Sequence, residues 1–156
     1  MHPMSMSLVV SQIMLIWLMI TPASALWPHD VASMAGFMFL LAGLALALWA
    51  FVSMRRSNFS VMPEPVSGGE LVERGPYRLI RHPMYAAIII ASVGALISHG
   101  GWIKLLYLCA LCAVLWIKLK REEQLLSMVY SGYPEYQQRT HALICLLYTS
   151  PSPRDS

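Results

Sequence analysis

Apolar stretches long enough to form helices dominate the sequence, and they leave few folds open to it. Four can be marked: Leu8–Leu26, Met34–Val52, Met84–Ile97 and Ile103–Leu119. A hydrocarbon core about 30 Å thick needs roughly 20 apolar residues of helix, and the first two stretches approach that length. The third is short unless its polar end or neighbouring helices extend it. Only 12% of the residues are charged, against about 25% in soluble domains, so we expect a membrane protein.

Lys and Arg are unevenly distributed among the connections between these stretches. Most follow the second or the fourth stretch, namely Arg55, Arg56, Arg74, Arg78, Arg81, Lys118, Lys120, Arg121 and Arg139. The positive-inside bias predicts that residues 53–83 and the segment after Leu119 lie on the cytoplasmic side. We therefore expect an all-α polytopic membrane protein with about four transmembrane helices. The last two would form a hairpin around His99-Gly100-Gly101, followed by a cytosolic C-terminal helical segment.

The first apolar stretch allows a second interpretation, as the core of a signal peptide. Ala23-Ser24-Ala25 resembles a small-residue cleavage site. No Lys or Arg precedes the stretch, however, and its removal would leave three helices to shield two polar segments. We therefore expect the first helix to be retained.

The end of the sequence differs in kind from the rest. Cys145 to Asp155 reads Cys-Leu-Leu-Tyr-Thr-Ser-Pro-Ser-Pro-Arg-Asp, and its back-translation resembles a transposon adapter used in sequencing libraries. We expect residues 145–156 to be an adapter-derived, non-native tail; a natural Ser/Pro-rich tail is the alternative. A single integral membrane domain, residues 1–144, is then expected to carry the function.

Charge and cysteine content argue against two other classes of function. A net charge of +3 without dense basic clusters gives no surface for a phosphate backbone, so we expect no nucleic-acid partner. Cys109 and Cys112 have Cys-x-x-Cys spacing, but they lie in an apolar stretch and no second pair accompanies them. Packing cysteines are expected there, and no metal site.

The most informative motif, residues 75–85, lies between the second and third apolar stretches. Its sequence is Gly-Pro-Tyr-Arg-Leu-Ile-Arg-His-Pro-Met-Tyr. Pro83 favours an extended His82 and can occupy a first helical turn, so Arg81 and His82 are expected at the start of the third helix. A helix N-terminus beside Arg and His can bind an anionic group. The alternative is a lipid-headgroup anchor of basic residues and interfacial tyrosines.

A second polar cluster follows the fourth apolar stretch, on the same predicted side of the membrane. It reads Lys118-Leu119-Lys120-Arg121-Glu122-Glu123. Consecutive helical residues point about 100° apart, so one glutamate can face inward while the other pairs with a neighbouring Lys or Arg. A solvated, charged helix end is the alternative interpretation. The two clusters can meet if both lie at the same end of the helices.

Taken in order, these motifs resemble one family of membrane enzymes. Gly75-Pro-Tyr-Arg-x-x-Arg-His-Pro-x-Tyr85, an apolar hairpin, Glu122-Glu123 and Tyr133-x-x-Tyr136 resemble the isoprenylcysteine carboxyl methyltransferase and phospholipid methyltransferase superfamily. The resemblance implies a bacterial-type integral membrane methyltransferase of the inner membrane, with its active site facing the cytoplasm. It also implies S-adenosylmethionine as cofactor and a lipophilic or small-molecule methyl acceptor. The sequence has no Gly-x-Gly-x-x-Gly motif of a soluble cofactor domain.

The same resemblance assigns the site residues. The cofactor-binding residues would be Tyr77, Arg81, His82, Pro83, Tyr85, Glu122, Glu123, Tyr133 and Tyr136. Of these, Arg81, His82 and Glu122 are expected to be catalytic. Arg81 or His82 would hold the carboxylate of the cofactor, a glutamate its amino group or ribose hydroxyls, and the tyrosines its adenine or sulfonium.

The acceptor is expected to be a carboxylate. A carboxylate is ionised near neutral pH and needs no general base. An amine acceptor, as in phospholipid N-methylation, would need one, and His82 is the natural candidate because imidazole titrates near neutral pH. Two further alternatives are a sterol-reductase-like enzyme that uses NADPH, whose relatives are larger, and a non-catalytic membrane scaffold.

Overall fold

The computed structural model describes residues 3–20, 29–54 and 71–143, and the regular elements in these ranges are all helical. Five α-helices follow one another, with a 3-10 turn (Gly75–Arg78) between the second and the third. The helices are α1 (Pro3–Ile20), α2 (His29–Ser53), α3 (Pro83–His99), α4 (Trp102–Val129) and α5 (Tyr133–Arg139). The predicted all-α class is confirmed for the described residues.

Two of these helices contain segments long and apolar enough to cross a membrane, Met34–Ser53 in α2 and Trp102–Val129 in α4. The apolar parts of α1 and α3, Met6–Met19 and Pro83–Ser98, are shorter. Large apolar side chains are exposed along most of α2, which is the surface that lipid covers in a membrane protein. These two helices support a membrane protein, while four crossings stay a prediction.

The helices that carry the polar motifs, α3 and α4, extend beyond the apolar stretches that predicted them. Pro83 occupies the first turn of α3, which continues to His99 and reaches 17 residues. α4 continues past Leu119 to Val129, so Glu122 and Glu123 lie within the helix and not at its end. Glu123 is buried, and the alternative of a solvated, charged helix end is therefore wrong for this residue.

The helices associate in two pairs, α2 along α3 and α1 along α4. Helices α2 and α3 approach each other closely because glycines lie where they contact. A Cβ added to Gly43 would lie 2.8 Å from the carbonyl oxygen of Ala87, and one added to Gly94 would lie 2.6 Å from that of Gly36. No other residue fits at these positions without a shift of the backbones, as is common where membrane helices pack.

The connection between α3 and α4 consists of Gly100 and Gly101, with φ of 61° and 93°. Glycine adopts positive φ at little cost, which suits it to so short a link. Three predicted features lie outside the described residues: the cleavage site Ala23-Ser24-Ala25, the basic pair Arg55-Arg56, and the tail 145–156.

Candidate functional site

The start of α3 is joined to the segment that follows α5. Pro83 fills the first turn of α3, as predicted, whereas His82 has φ −122° and ψ 62° and so does not adopt the extended backbone expected before a proline. The Arg81 amide donates to the carbonyl of His141 at 2.8 Å, and the His82 amide donates to that of Ala142 at 3.1 Å. With the His141 amide, which donates to the Leu79 carbonyl at 3.0 Å, the first of these bonds forms an isolated parallel bridge between Ile80 and His141. The C-terminal segment is thereby fixed beside the helix start that carries the Arg-His motif.

The Arg81 side chain is held by acceptors from three parts of the chain. Its Nε donates to Glu123 Oε1 at 2.8 Å, and its Nη1 donates to the Gln137 carbonyl at 3.1 Å and to the Thr140 carbonyl. Both side chains of the Arg81–Glu123 ion pair are 9% exposed. Arg81 therefore ties α4 and the end of α5 to the start of α3.

The His82 imidazole lies between the two glutamates. Its Nδ1 is 3.6 Å from Glu122 Oε2 and its Nε2 is 3.6 Å from Glu123 Oε1, distances within ion-pair range but longer than a hydrogen bond. The Tyr85 ring stacks on the imidazole, with planes 3° apart and centroids 5.4 Å apart. The Tyr85 hydroxyl donates to Glu122 Oε2 at 2.8 Å. Tyr85 thus orients both His82 and Glu122.

Three tyrosines, Tyr77, Tyr133 and Tyr136, lie beside this cluster. The Tyr136 hydroxyl donates to the Tyr77 carbonyl at 2.7 Å, and the rings of Tyr133 and Tyr136 lie 5.9 Å apart. Burial raises the pKa of the Tyr77 and Tyr133 hydroxyls well above the usual range for tyrosine, and the neighbouring glutamates raise it further. Both hydroxyls are therefore protonated at neutral pH and can donate hydrogen bonds.

Two buried polar atoms in this cluster lack a hydrogen-bond partner, His82 Nε2 and the Tyr133 hydroxyl. An unsatisfied buried polar group destabilises a fold by about 1–3 kcal/mol, and such groups are rare in native proteins. These two atoms are therefore available to bind a polar ligand.

The structure brings together most of the residues that the sequence singled out. Arg81, His82, Tyr85, Glu122 and Glu123 are in mutual contact through the bonds described above. Tyr136 of α5 contacts the segment that precedes α3, because its hydroxyl donates to the Tyr77 carbonyl. One glutamate, Glu123, is buried as predicted, but it is also the glutamate that lies near a neighbouring cation, with Lys120 Nζ 3.9 Å from its Oε2. Glu122 instead contacts Tyr85 and His82, so the predicted pairing of the second glutamate with a neighbouring Lys or Arg is wrong for the described contacts.

Two residues around this cluster, Thr140 and Gln12, were not predicted, and Lys118 was predicted only as a member of the charged cluster that ends in Glu122-Glu123. Thr140, whose carbonyl Arg81 binds, carries no sequence signal of its own. Lys118 is buried and donates to Gln12 Oε1 of α1 at 3.0 Å, with its ammonium 5.5 Å from the centre of the Tyr85 ring. The lone Gln12 within an apolar stretch was the available signal, because a polar side chain among apolar helices usually meets another.

The described residues hold no group of three or more His, Cys, Asp and Glu side chains close enough to bind a metal ion. Cys109 is exposed and Cys112 half-buried on α4, and both are free thiols. The chemistry available in the cluster is that of carboxylates, an imidazole, a guanidinium and tyrosine hydroxyls.

Comparison with known families identifies a match over more than half of the chain. The model of the phospholipid methyltransferase family matches residues 31–132, a range that holds motif 75–85 and Glu122-Glu123. Tyr133 and Tyr136 lie just beyond the matched range. This family falls within the isoprenylcysteine carboxyl methyltransferase-like superfamily, and the resemblance indicated by the ordered motifs is confirmed. No curated protein matches the chain.

Proposed function

The chain belongs to the phospholipid methyltransferase family, and from this premise we propose that it transfers a methyl group from S-adenosylmethionine to the carboxylate of a lipophilic acceptor. Membership of this family supports methyltransferase activity, and the two long apolar helices support a membrane location. We further propose that the site faces the cytoplasm at a bacterial inner membrane. The observation that carries the proposal is the buried cluster of His82 between two glutamates, with two unsatisfied polar atoms.

The donors and acceptors of the cluster fit this cofactor. S-Adenosylmethionine supplies an electrophilic methyl group on a sulfonium, and it also carries a carboxylate and an amino group. Glu122 is a partner for the amino group or the ribose hydroxyls, since both its described contacts, the Tyr85 hydroxyl and His82 Nδ1, are to Oε2. The unsatisfied His82 Nε2 and Tyr133 hydroxyl are partners for the remaining polar groups. The tyrosine rings offer faces for adenine or for the cation.

Arg81 contributes in a different way from the other residues of its motif. Its Nε and Nη1 already bind Glu123 and the carbonyls of Gln137 and Thr140. We therefore assign Arg81 as a positioning residue, which holds Glu123 and the C-terminal segment in place around the site. His82 and Glu122 are assigned to contact the cofactor, and both remain catalytic residues in this proposal.

A carboxylate acceptor suits a site of this composition. Its oxygen is ionised near neutral pH, so no proton has to be removed before it attacks the methyl carbon in line. The chain's contribution is then to orient the acceptor and to exclude water, which together supply most of the acceleration of such reactions. Burial of His82, whose side chain is 5% exposed, supports the proposed exclusion of water.

The acceptor class is testable from the stability of the product to base. The purified chain in lipid vesicles is incubated with S-adenosylmethionine tritiated on its methyl group and with a membrane lipid extract. Methyl esters release volatile tritiated methanol in base, whereas N-methyl amines keep their label. We expect base-labile label with the wild type and with Glu135→Gln, an exposed control on α5, and its loss with Glu122→Gln. Base-stable lipid label would contradict the carboxylate acceptor and support N-methylation.

A further inference from the structure

Lys118 is a charged side chain buried among apolar helices. It is 3% exposed, its Nζ donates to Gln12 Oε1 at 3.0 Å, and it lies 5.5 Å from the centre of the Tyr85 ring. Burying an ammonium is expensive even when it is hydrogen-bonded. Ionisable residues within membrane helices mark binding or transport functions as a rule. Packing alone therefore does not explain why Lys118 is buried.

The position of Lys118 relates it to the candidate site. It precedes Glu122 by one turn of α4, and Tyr85 lies between the two, with its ring toward Lys118 and its hydroxyl on Glu122. On the other side, Tyr85 packs against an apolar core built by Leu15, Leu111 and Leu115. The polar pair Gln12–Lys118 thus lies where this apolar core meets the carboxylate cluster.

We propose that Lys118 and Gln12 form a subsite that binds the carboxylate of the lipophilic acceptor beside Tyr85. The identity of the bound molecule as methyl acceptor rests on the proposed function. Glu122 and Glu123 repel an anion that approaches the cluster, and a cation on the bilayer side offsets that repulsion. The same cation disfavours a protonated amine, so the subsite selects carboxylates over amines.

The subsite also distinguishes the acceptor from its product. In the transfer the carboxylate oxygen forms a bond to the methyl carbon, the carbon–sulfur bond of the sulfonium breaks, and its electron pair stays on sulfur. The ester that results is neutral. Lys118 attracts the acceptor and not the ester, so the charge that favours binding of the acceptor does not retain the product.

Binding of a fluorescent long-chain carboxylate tests this subsite without requiring methyl transfer. The probes are cis-parinaric acid and its methyl ester, titrated into the purified chain in lipid nanodiscs. We expect the wild type to bind the acid about tenfold more tightly than the ester, because charge-assisted hydrogen bonds are roughly twice as strong as neutral ones. Lys118→Met should abolish the preference and Lys118→Arg should retain it. Lys120→Met, which removes an exposed charge on the same helix, should also retain it.

Binding of S-adenosylmethionine by each variant separates the possible outcomes. If Lys118→Met also loses cofactor binding, the subsite is tested with Gln12→Leu instead. This variant should reduce the preference for the acid about threefold, the effect of about half a charge-assisted hydrogen bond. Equal binding of acid and ester by the wild type, or an unchanged preference in Lys118→Met, would overturn the subsite. Tighter binding of hexadecyl phosphate than of the acid would overturn its assignment to carboxylates. A wild type that prefers the acid but binds no S-adenosylmethionine supports the subsite and contradicts the proposed function.

Discussion

α4 carries two buried lysines, one near its start and one in its second half, and their partners differ. Lys104, 1% exposed, donates to the carbonyl of Met19 at 2.6 Å. This carbonyl lies in the last turn of α1, where the helix itself provides no donor. Lys118 faces the side chains of Gln12 and Tyr85 beside the carboxylate cluster. Burial is the same for both, so it is the partner of a buried charge that distinguishes a structural lysine from one placed to bind.

The contrast extends to the two ends of the helices. At the cluster end, charged side chains contact one another and two polar atoms remain unsatisfied. At the Lys104 end, a lysine caps a helix and two glycines link α3 to α4. Substitutions at the cluster end should therefore change cofactor binding and catalysis, whereas those at the Lys104 end should change stability alone.

The largest effect is expected from Arg81→Ala at the cluster end. This substitution leaves Glu123 buried without its main partner, a change that destabilises proteins by about 3–5 kcal/mol. Unfolding in a detergent series, followed by circular dichroism, measures the free energy of unfolding. Arg139→Ala is the matched control, because its ion pair with Glu73 is exposed and contributes about 1 kcal/mol or less. Equal losses in both variants would contradict the positioning role of Arg81.

The next effect in size is that of Glu122→Gln on methyl transfer. We expect the rate to fall about 100-fold, as when one preorganised polar group is removed from an active site. The free energy of unfolding should change by about 1 kcal/mol or less, because Glu122 is half-buried and keeps a hydrogen-bond acceptor. A rate that stays within a few-fold of wild type would remove Glu122 from the catalytic residues.

Tyr85→Phe should have a smaller effect of the same kind. It keeps the ring that stacks on His82 and removes the hydroxyl that binds Glu122. The rate is expected to fall about tenfold, the equivalent of one hydrogen bond to a charged group. Initial rates at saturating cofactor measure this effect. Loss of folding instead of rate would show that the hydroxyl is structural.

The smallest effect is expected at the other end of α4. Lys104→Met removes the hydrogen bond to Met19 and should lower the free energy of unfolding by about 1 kcal/mol, the usual contribution of such bonds between membrane helices. Affinity for S-adenosylmethionine should not change. A tenfold loss of affinity would show that the two lysines do not differ as proposed.

Sequence patterns predicted the helices and the polar motifs well, because hydropathy and motif order are local properties. Pro83 marked the start of α3, and Glu122-Glu123 was correctly matched with the Arg-His motif. The fourth apolar stretch ends at Leu119 but α4 continues to Val129, because apolarity marks contact with lipid whereas residues 120–129, which include Glu, Gln, Leu and Met, still favour a helix. Hydropathy cannot show where a helix ends once it leaves the apolar region.

The contacts of Lys118 and Arg81 were not predictable in the same way. Lys118 was grouped with the charged residues that follow it, yet its partner Gln12 lies on α1. The acceptors of Arg81 include backbone carbonyls, which every residue carries and no motif marks. Such contacts depend on which helices pack together, and a single sequence does not specify that.

Binding of S-adenosylmethionine to the purified chain, measured by isothermal titration calorimetry, tests the central claim most directly. The account predicts saturable, one-to-one binding by the wild type and by Glu135→Gln, with affinity reduced about tenfold or more in Glu122→Gln. NADPH, titrated in parallel, should give no heat of binding. Binding of NADPH in place of S-adenosylmethionine, or equal affinity in Glu122→Gln and wild type, would contradict the assignment of this cluster as the cofactor site.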